Sequence, residues 1–102
     1  MTQKEQELFI GELFKKMTST MLSKSKDYAN VETDVLSNFK TAGAIVGVSA
    51  EINCLSLIAT KVARLGVLLN NKGEPNNESI RDSVLDLANY AVLLDMILSE
   101  KK

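Results

Sequence analysis

The stretch NCLSLIATKVARLGVLL at residues 53–69 decides the fold, together with SIRDSVLDLANYAVLLDMILS at residues 79–99. In both, apolar residues recur at alternating steps of three and four, the period of a helix that packs along one stripe. The predicted stripes are Leu55, Ile58, Val62, Leu65 and Leu69 in the first, and Ile80, Val84, Leu87, Ala91, Leu94 and Leu98 in the second. The turn NKGEPNN, which contains the only Pro of the chain, separates them. The pattern therefore predicts an antiparallel helical hairpin.

The two hairpin helices have predictable ends. Ser49 is a favourable N-cap for the third helix, and Glu51 in its first turn complements the helix dipole. We expect this helix to extend to Asn70. The fourth helix is predicted from Glu78 to Ser99.

Two further helices are predicted upstream. The first extends from about Gln3 to Ser23, with Phe9, Leu13, Met17 and Met21 recurring at every fourth position beside Ile10 and Phe14. The polar, non-periodic stretch SKSKDYANVE then predicts a loop. The second helix is expected from Asp34 to Val46, capped by Thr33 or Asp34. Its expected core residues are Leu36, Phe39 and Ile45, and Gly47 suits a left-handed position just after its end.

The fold class follows from these four segments. No segment alternates with period two, and 102 residues correspond to one domain. The sequence thus predicts an all-α fold: a small four-segment helical domain over residues 1–102, with a long antiparallel hairpin formed by the last two helices.

Composition excludes several classes of function. The chain has no His, which excludes imidazole-based triads and the common zinc sites, and its one Cys excludes an internal disulfide. A net charge of −1 argues against a duplex nucleic acid as partner. We find neither a signal sequence nor a stretch approaching a membrane span, so we expect a cytoplasmic protein without a membrane partner.

A second stripe on each hairpin helix carries polar residues. Lys61 and Arg64 lie between Leu57 and Leu68 on the third helix, and the fourth helix repeats this spacing with Asp82, Asp86, Asn89 and Leu93. One interpretation is a set of structural ion pairs on a half-buried face. The other is a site for an anionic, nucleotide-like ligand, in which Arg and Lys bind phosphate and the carboxylates and amide bind hydroxyls, base edges or Mg²⁺.

A second polar group precedes and enters the second helix. Its members are Lys24, Lys26, Asp27, Tyr28 and Asn30, followed by Asn38, Phe39 and Lys40. A Tyr beside lysines can stack on a base while the ammonium groups bind phosphate. The alternative is that Tyr28 fills the edge of the core.

The second half of the fourth helix is apolar almost all round, because Leu85, Val92, Met96 and Ile97 lie outside its predicted stripe. A helix of this kind is covered on both sides. In so short a chain, we expect another copy of the chain to cover the second side of this helix. The sequence therefore predicts a homo-oligomer.

Four short motifs occur in order: Lys26-Asp27-Tyr28, Asn38-Phe39, Lys61-x-x-Arg64-Leu65 and Asp82-x-x-x-Asp86-x-x-Asn89-Tyr90. In this combination, over residues 24–95, the chain resembles the first nucleotide-modification-associated domain family of phages and prophages. The resemblance implies a phage setting, a link to nucleotides and a shared set of polar positions. These positions are Lys26, Asp27, Tyr28, Asn38, Phe39, Lys61, Arg64, Asp82, Asp86, Asn89 and Tyr90.

Three functions remain open. The preferred one is a phage-type, non-catalytic nucleotide-binding protein that sequesters a nucleotide-derived immune signal in the host cytoplasm, as an anti-defence sponge does. An alternative is a nucleotide-modifying or Mg²⁺-dependent enzyme resembling the all-α MazG-like nucleotide pyrophosphatases, with Asp82 and Asp86 as metal ligands. The remaining alternative is a non-catalytic oligomeric interaction protein. We assign no catalytic residue, and we expect no cofactor other than Mg²⁺ in the enzyme case.

Overall fold

The computed structural model describes residues 1–28, 34–71 and 77–101, without the side chains of residues 24–28, 77 and 78. Four helices make up these segments: α1 (Gln3–Tyr28), α2 (Ser37–Val46), α3 (Ala50–Asn70) and α4 (Asn77–Ser99). The all-α prediction is confirmed, as is the hairpin of the last two helices.

Two predicted boundaries were wrong. Helix α1 continues beyond Ser23 to Tyr28, so the first part of the predicted loop is helical. The physical reason is that an existing helix gains one backbone hydrogen bond for each added residue, so a polar stretch without Gly or Pro extends it at little cost. Helix α2 begins at Ser37 rather than Asp34, with Leu36 at its N-cap and no side-chain cap bond. Thr33 lies outside the described residues.

The chain divides into two compact units, Met1–Val35 and Leu36–Lys102. In the first unit, the Thr2 hydroxyl caps α1: it accepts a hydrogen bond from the Glu5 N–H and donates one to the Glu5 carboxylate, both at 3.1 Å. Of the predicted apolar face of α1, Met17 is buried, whereas Phe9 and Phe14 are exposed. Nothing tests the expectation of a single domain, which stays a prediction.

In the second unit, α3 and α4 form the antiparallel hairpin. The Cys54 thiol of α3 donates to the Tyr90 carbonyl of α4 at 3.5 Å, and the Lys61 ammonium lies 3.0 Å from the Asp86 carboxylate. Residue numbers therefore rise along α3 as those of the facing residues fall along α4, which confirms the predicted orientation.

The stripes that join the two helices differ from those predicted. Residues of α3 that are buried or half-buried against the hairpin recur at steps of four and three: Cys54, Ile58, Lys61, Leu65 and Leu68. The corresponding stripe of α4 consists of Ser83, Asp86, Tyr90, Leu93 and Ile97. We call these two rows the contact stripes. They contain five polar or weakly polar residues, which is why an apolar pattern did not reveal them.

About half of the predicted stripe residues lie in solvent, whereas Ile80, Leu87 and Leu94 of α4 are half-buried. Leu55, Val62 and Leu69 of α3 and Val84 and Leu98 of α4 are exposed, and of the predicted α3 stripe only Ile58 and Leu65 belong to the contact stripe. These positions are one residue C-terminal of the contact stripes. Helical sequence alone shows two adjacent apolar rows and does not say which one meets the partner helix.

The core lies where α2 covers the hairpin. Leu36 and Phe39 of α2 pack with Cys54 of α3 and Ile97 of α4. Burial without a charged partner raises the pKa of the Cys54 thiol. Ile45 does not join this core, contrary to prediction, because 79% of it is exposed.

The α2–α3 turn follows the predicted signals. Gly47 adopts a left-handed conformation with φ of 80°, and the Ser49 hydroxyl accepts a hydrogen bond from the Ile52 N–H at 3.3 Å. The turn folds back so closely that a Cβ on Gly43 would lie 2.8 Å from the Val48 carbonyl oxygen. Gly43 is therefore required by the approach of two backbone segments.

Gly43→Ala is expected to lower the free energy of unfolding by about 2 kcal/mol, because the added methyl group forces the turn away from α2. Gly11→Ala is the matched control, since nothing lies within 4 Å of its Cβ position. That change is expected to stabilise α1 by about 0.5–1 kcal/mol. Chemical denaturation of both variants tests the contrast, and equal effects would contradict it.

Two ion pairs attach the C-terminal end to the rest of the unit. The Lys40 ammonium lies 2.9 Å from the Glu100 carboxylate, and Lys101 pairs with Glu51 at the start of α3. Hydrogen bonds from Lys101 and Ser49 lower the pKa of Glu51 to about 2.

Glu51→Gln is expected to reduce the acid sensitivity of folding. A carboxylate whose pKa falls from 4.5 to about 2 on folding stabilises the protein above pH 4.5 and loses that contribution as the pH drops toward 2. The variant lacks this term, so its melting temperature falls less over this window. Glu12→Gln, on the exposed face of α1, controls for the loss of one carboxylate; identical pH profiles for wild type and Glu51→Gln would refute the assignment.

Helix α3 is more apolar than we expected. Among the described residues it is the one helix whose length and composition suffice to cross a membrane, and only 11% of its most apolar 18-residue window is buried. The expectation that no stretch approaches a membrane span is thus wrong for α3. The cytoplasmic location stays a prediction.

Candidate functional site

One side of the hairpin carries the polar residues singled out from the sequence. Arg64 lies one residue N-terminal of the α3 contact stripe, and Asp82 and Asn89 lie one residue N-terminal of the α4 contact stripe. In antiparallel helices this offset rotates side chains toward the same side of the pair. Asn53 has the same offset and donates to the Phe39 carbonyl at 3.2 Å, so this is also the side on which α2 packs.

The centre of this cluster is the ion pair between Lys61 and Asp86. Their charged atoms are 3.0 Å apart, and their side chains are 25% and 23% exposed. The structural interpretation from the sequence therefore describes this pair correctly. A half-buried pair fixes the level at which the two helices face each other, and its net contribution to stability is small because each charge loses hydration.

One turn closer to the α3–α4 connection, Arg64 and Asp82 occupy the same level of the hairpin. This follows from the Lys61–Asp86 register, since Arg64 is three residues beyond Lys61 and Asp82 four before Asp86. Both side chains are exposed. The guanidinium is thus presented to solvent beside the half-buried pair.

Asn89 differs from the other members of the cluster in its burial and hydrogen bonding. It is 5% exposed, yet neither its side-chain oxygen nor its side-chain nitrogen has a hydrogen-bond partner among the described residues. An unpaired buried amide costs about 1–3 kcal/mol, and native proteins contain few of them. Asn89 lies one turn from Asp86, on the side of α4 that also carries Asp82.

The other predicted site residues are placed differently. The Tyr90 side chain packs against the core, while its carbonyl accepts the Cys54 hydrogen bond. Phe39 is in the core and Asn38 is exposed on α2. Lys26, Asp27 and Tyr28 end α1 in the first unit, and their side chains lie outside the described residues. The structure thus groups five residues: Lys61, Arg64, Asp82, Asp86 and Asn89.

Metal binding by Asp86 would compete with its existing ion pair. Asp82 and Asp86 lie one turn apart, but the Asp86 carboxylate is paired with Lys61. The described residues hold no group of three or more acidic or Cys side chains that would bind a metal ion. Mg²⁺ at Asp86 would therefore have to displace an ammonium group that is already in place.

Sequence reasoning missed one polar residue beside this cluster. Ser83 lies between Asp82 and Asp86 on α4 and is 3% exposed. No signal in the sequence marks it, because its burial depends on the packing of α3 against α4. A small hydroxyl at that level lets α3 and α4 approach closely next to the charged pair.

The resemblance to the nucleotide-modification-associated family stays a prediction on the four motifs. No family model matches this chain, and neither a curated protein nor a solved structure matches it.

Proposed function

We propose that the chain is a phage-type nucleotide-binding protein that sequesters a nucleotide-derived immune signal in the cytoplasm of the bacterial host. The observation that carries this proposal is the buried amide of Asn89, which has no hydrogen-bond partner in the described part of the chain and lies one turn from the Lys61–Asp86 pair. A buried amide without a partner is costly in a purely structural face. A ligand with donors and acceptors of its own supplies the missing bonds.

The exposed guanidinium of the cluster favours a phosphate-bearing ligand. Arg64 offers two parallel hydrogen bonds to a phosphate group, whereas the charge of Lys61 is offset by Asp86. The Asn89 amide has both a donor and an acceptor, as recognition of a base edge requires. The sequence also predicts a contribution from Lys26 and Tyr28, whose side chains lie outside the described residues.

Sequestration is favoured over catalysis for two reasons. The chain has no His, and its best-placed carboxylate, Asp86, is neutralised by Lys61. Binding without turnover needs neither a general base nor a metal. In the enzyme alternative, hydrolysis depends on Mg²⁺ and on both Asp82 and Asp86, so full activity in Asp86→Asn would refute that alternative.

The proposal is tested by purifying the protein from phage-infected cells and analysing by mass spectrometry what it releases on denaturation. The expected result is a phosphate-bearing nucleotide derivative in near-stoichiometric amount. An Arg64→Ala protein purified in parallel should carry much less of it. Equal release from both proteins, or none from the wild type, would contradict the proposal.

Asn89→Leu separates binding from structure. Because leucine has the same branched shape and the same number of side-chain heavy atoms and needs no hydrogen bonds, the free energy of unfolding of the variant is expected to be about 1–2 kcal/mol higher than that of the wild type. It should also lose nucleotide binding, measured by calorimetry with ADP, cyclic AMP and a cyclic dinucleotide. A destabilised variant, or one that binds normally, would show that Asn89 has another role.

A second candidate, an oligomeric interaction protein, is favoured by the Lys61–Asp86 pair, which needs no ligand to be satisfied. In that case the unpaired Asn89 amide meets a neighbouring copy rather than a small molecule. The two candidates differ in the purification experiment, since an interaction protein releases no nucleotide.

A further inference from the structure

The hairpin has a second side, opposite the polar cluster, that is apolar and exposed. We define the exposed apolar face by its large side chains, which keep between 49% and 67% of their surface accessible: Ile52, Leu55, Val62, Leu69, Val84 and Leu98. Apart from Ile52, each of these side chains lies one residue C-terminal of a contact-stripe residue. Because α3 and α4 are antiparallel, this offset places the side chains of both helices on the same side of the hairpin.

This face has the pattern of a helix-packing surface. Between Leu55 and Leu69 its row on α3 contains Ala59, Val62 and Gly66. On α4 the row includes the exposed Ala91 and the half-buried Leu87 and Leu94, of which Leu94 also packs against the core. Neither row contains a charged residue. A heptad period maintained over two neighbouring helices indicates a partner that is itself helical, and soluble monomers rarely expose a continuous apolar patch of this kind.

The charges bordering the face specify the partner. Arg81 and Asp95 lie at the edge of the α4 row, both exposed, each seven residues from Ala88. If two copies of α4 run antiparallel about a two-fold axis at Ala88, Arg81 of each copy faces Asp95 of the other. In a parallel pair, Arg81 would face Arg81 and Asp95 would face Asp95. The small side chain at position 88 lets the two helices approach at the axis.

From this pattern and these charges, we infer that the exposed apolar face binds a second copy of the chain. Two hairpins stack through it as a four-helix bundle, with their α4 helices antiparallel and Arg81 opposite Asp95 of the second copy. The inference does not rest on the proposed ligand, which belongs to the opposite side of the hairpin.

Sedimentation equilibrium of the full chain tests whether the exposed apolar face mediates self-association. The wild type is expected to have a molecular mass of at least twice 11.2 kDa. Val62→Lys places an ammonium group in the face and should weaken self-association on the order of a hundredfold. Val67→Lys is the matched control, because Val67 is 71% exposed on the same helix and lies outside the face. Circular dichroism verifies that both variants are helical.

A charge exchange tests the partner and its orientation. Arg81→Glu alone should weaken self-association about tenfold, since attraction becomes repulsion at two symmetric places. Combining Arg81→Glu with Asp95→Arg should restore it. The double variant can restore self-association only if position 81 contacts position 95 of another copy. A mere loss of folding in Arg81→Glu would not be reversed by Asp95→Arg.

Three results would overturn the inference: a monomeric wild type, equal masses for Val62→Lys and Val67→Lys, or no rescue in the charge-exchanged protein. A wild type that stays monomeric but floats with phosphatidylglycerol–phosphatidylcholine vesicles would assign the face to a membrane instead. None of these results depends on nucleotide binding, so the inference and the proposed function fail separately.

Discussion

Phe39→Ala is expected to lower the free energy of unfolding by about 4 kcal/mol, the largest effect of any single change considered. Phe39 joins α2 to both hairpin helices through the small core with Leu36, Cys54 and Ile97. A truncated ring leaves a cavity lined by these residues and by the half-buried apolar residues packed against them, which relax only in part because three helices hold them. Its backbone carbonyl, which accepts from Asn53, is not altered by the substitution.

Ile45→Ala is the control for this prediction. Ile45 is on the same helix and also apolar, but it is 79% exposed, so its truncation should change stability by less than about 0.5 kcal/mol. Urea denaturation followed by circular dichroism measures both. A similar loss in the two variants would mean that α2 packs through a different face.

Arg64→Ala is expected to reduce nucleotide affinity roughly thirtyfold, or about 2 kcal/mol, while leaving stability within about 0.5 kcal/mol of wild type. The reason is that Arg64 is exposed and lies beside the Lys61–Asp86 pair rather than in it. Its loss removes a bidentate phosphate contact without unpairing a buried charge. Calorimetry and thermal denaturation on the same preparation measure the two quantities.

Arg64→Lys refines this result. The charge is retained but the planar fork is lost, so affinity should fall nearly as far as in Arg64→Ala if the contact is bidentate. Val62→Ala, an exposed change on the opposite side of α3, should bind as wild type does. Lost stability with unchanged affinity in the Arg64 variants would support the structural interpretation of the cluster.

Much of the fold could be predicted from the sequence, because its signals are local. Ser49 caps α3, Gly47 takes the left-handed position after α2, and α3 ends at Asn70 as expected. The hairpin itself follows from two long apolar periods joined by a short turn. The cap, the left-handed glycine and the helix end depend on residues close together along the chain.

The packing faces could not be predicted, because that choice depends on the partner helix. The contact stripes contain Lys61 and Asp86, whose mutual pairing makes two charged positions compatible with a helix interface. Read alone, each helix offers a cleaner apolar row beside it, and most of the large side chains in that row are exposed. The same limit applies to Asn89, whose burial depends on tertiary packing and leaves no signal in the periodicity.

The most direct test of the account is a calorimetric titration of the wild type and of Arg64→Lys with ADP, cyclic AMP and a cyclic dinucleotide. We predict that the wild type binds at least one of these probes and that Arg64→Lys, equally stable, binds the same probe at least tenfold more weakly. Failure of the wild type to bind any of them, or equal affinity in the two proteins, would contradict a nucleotide site on this side of the hairpin.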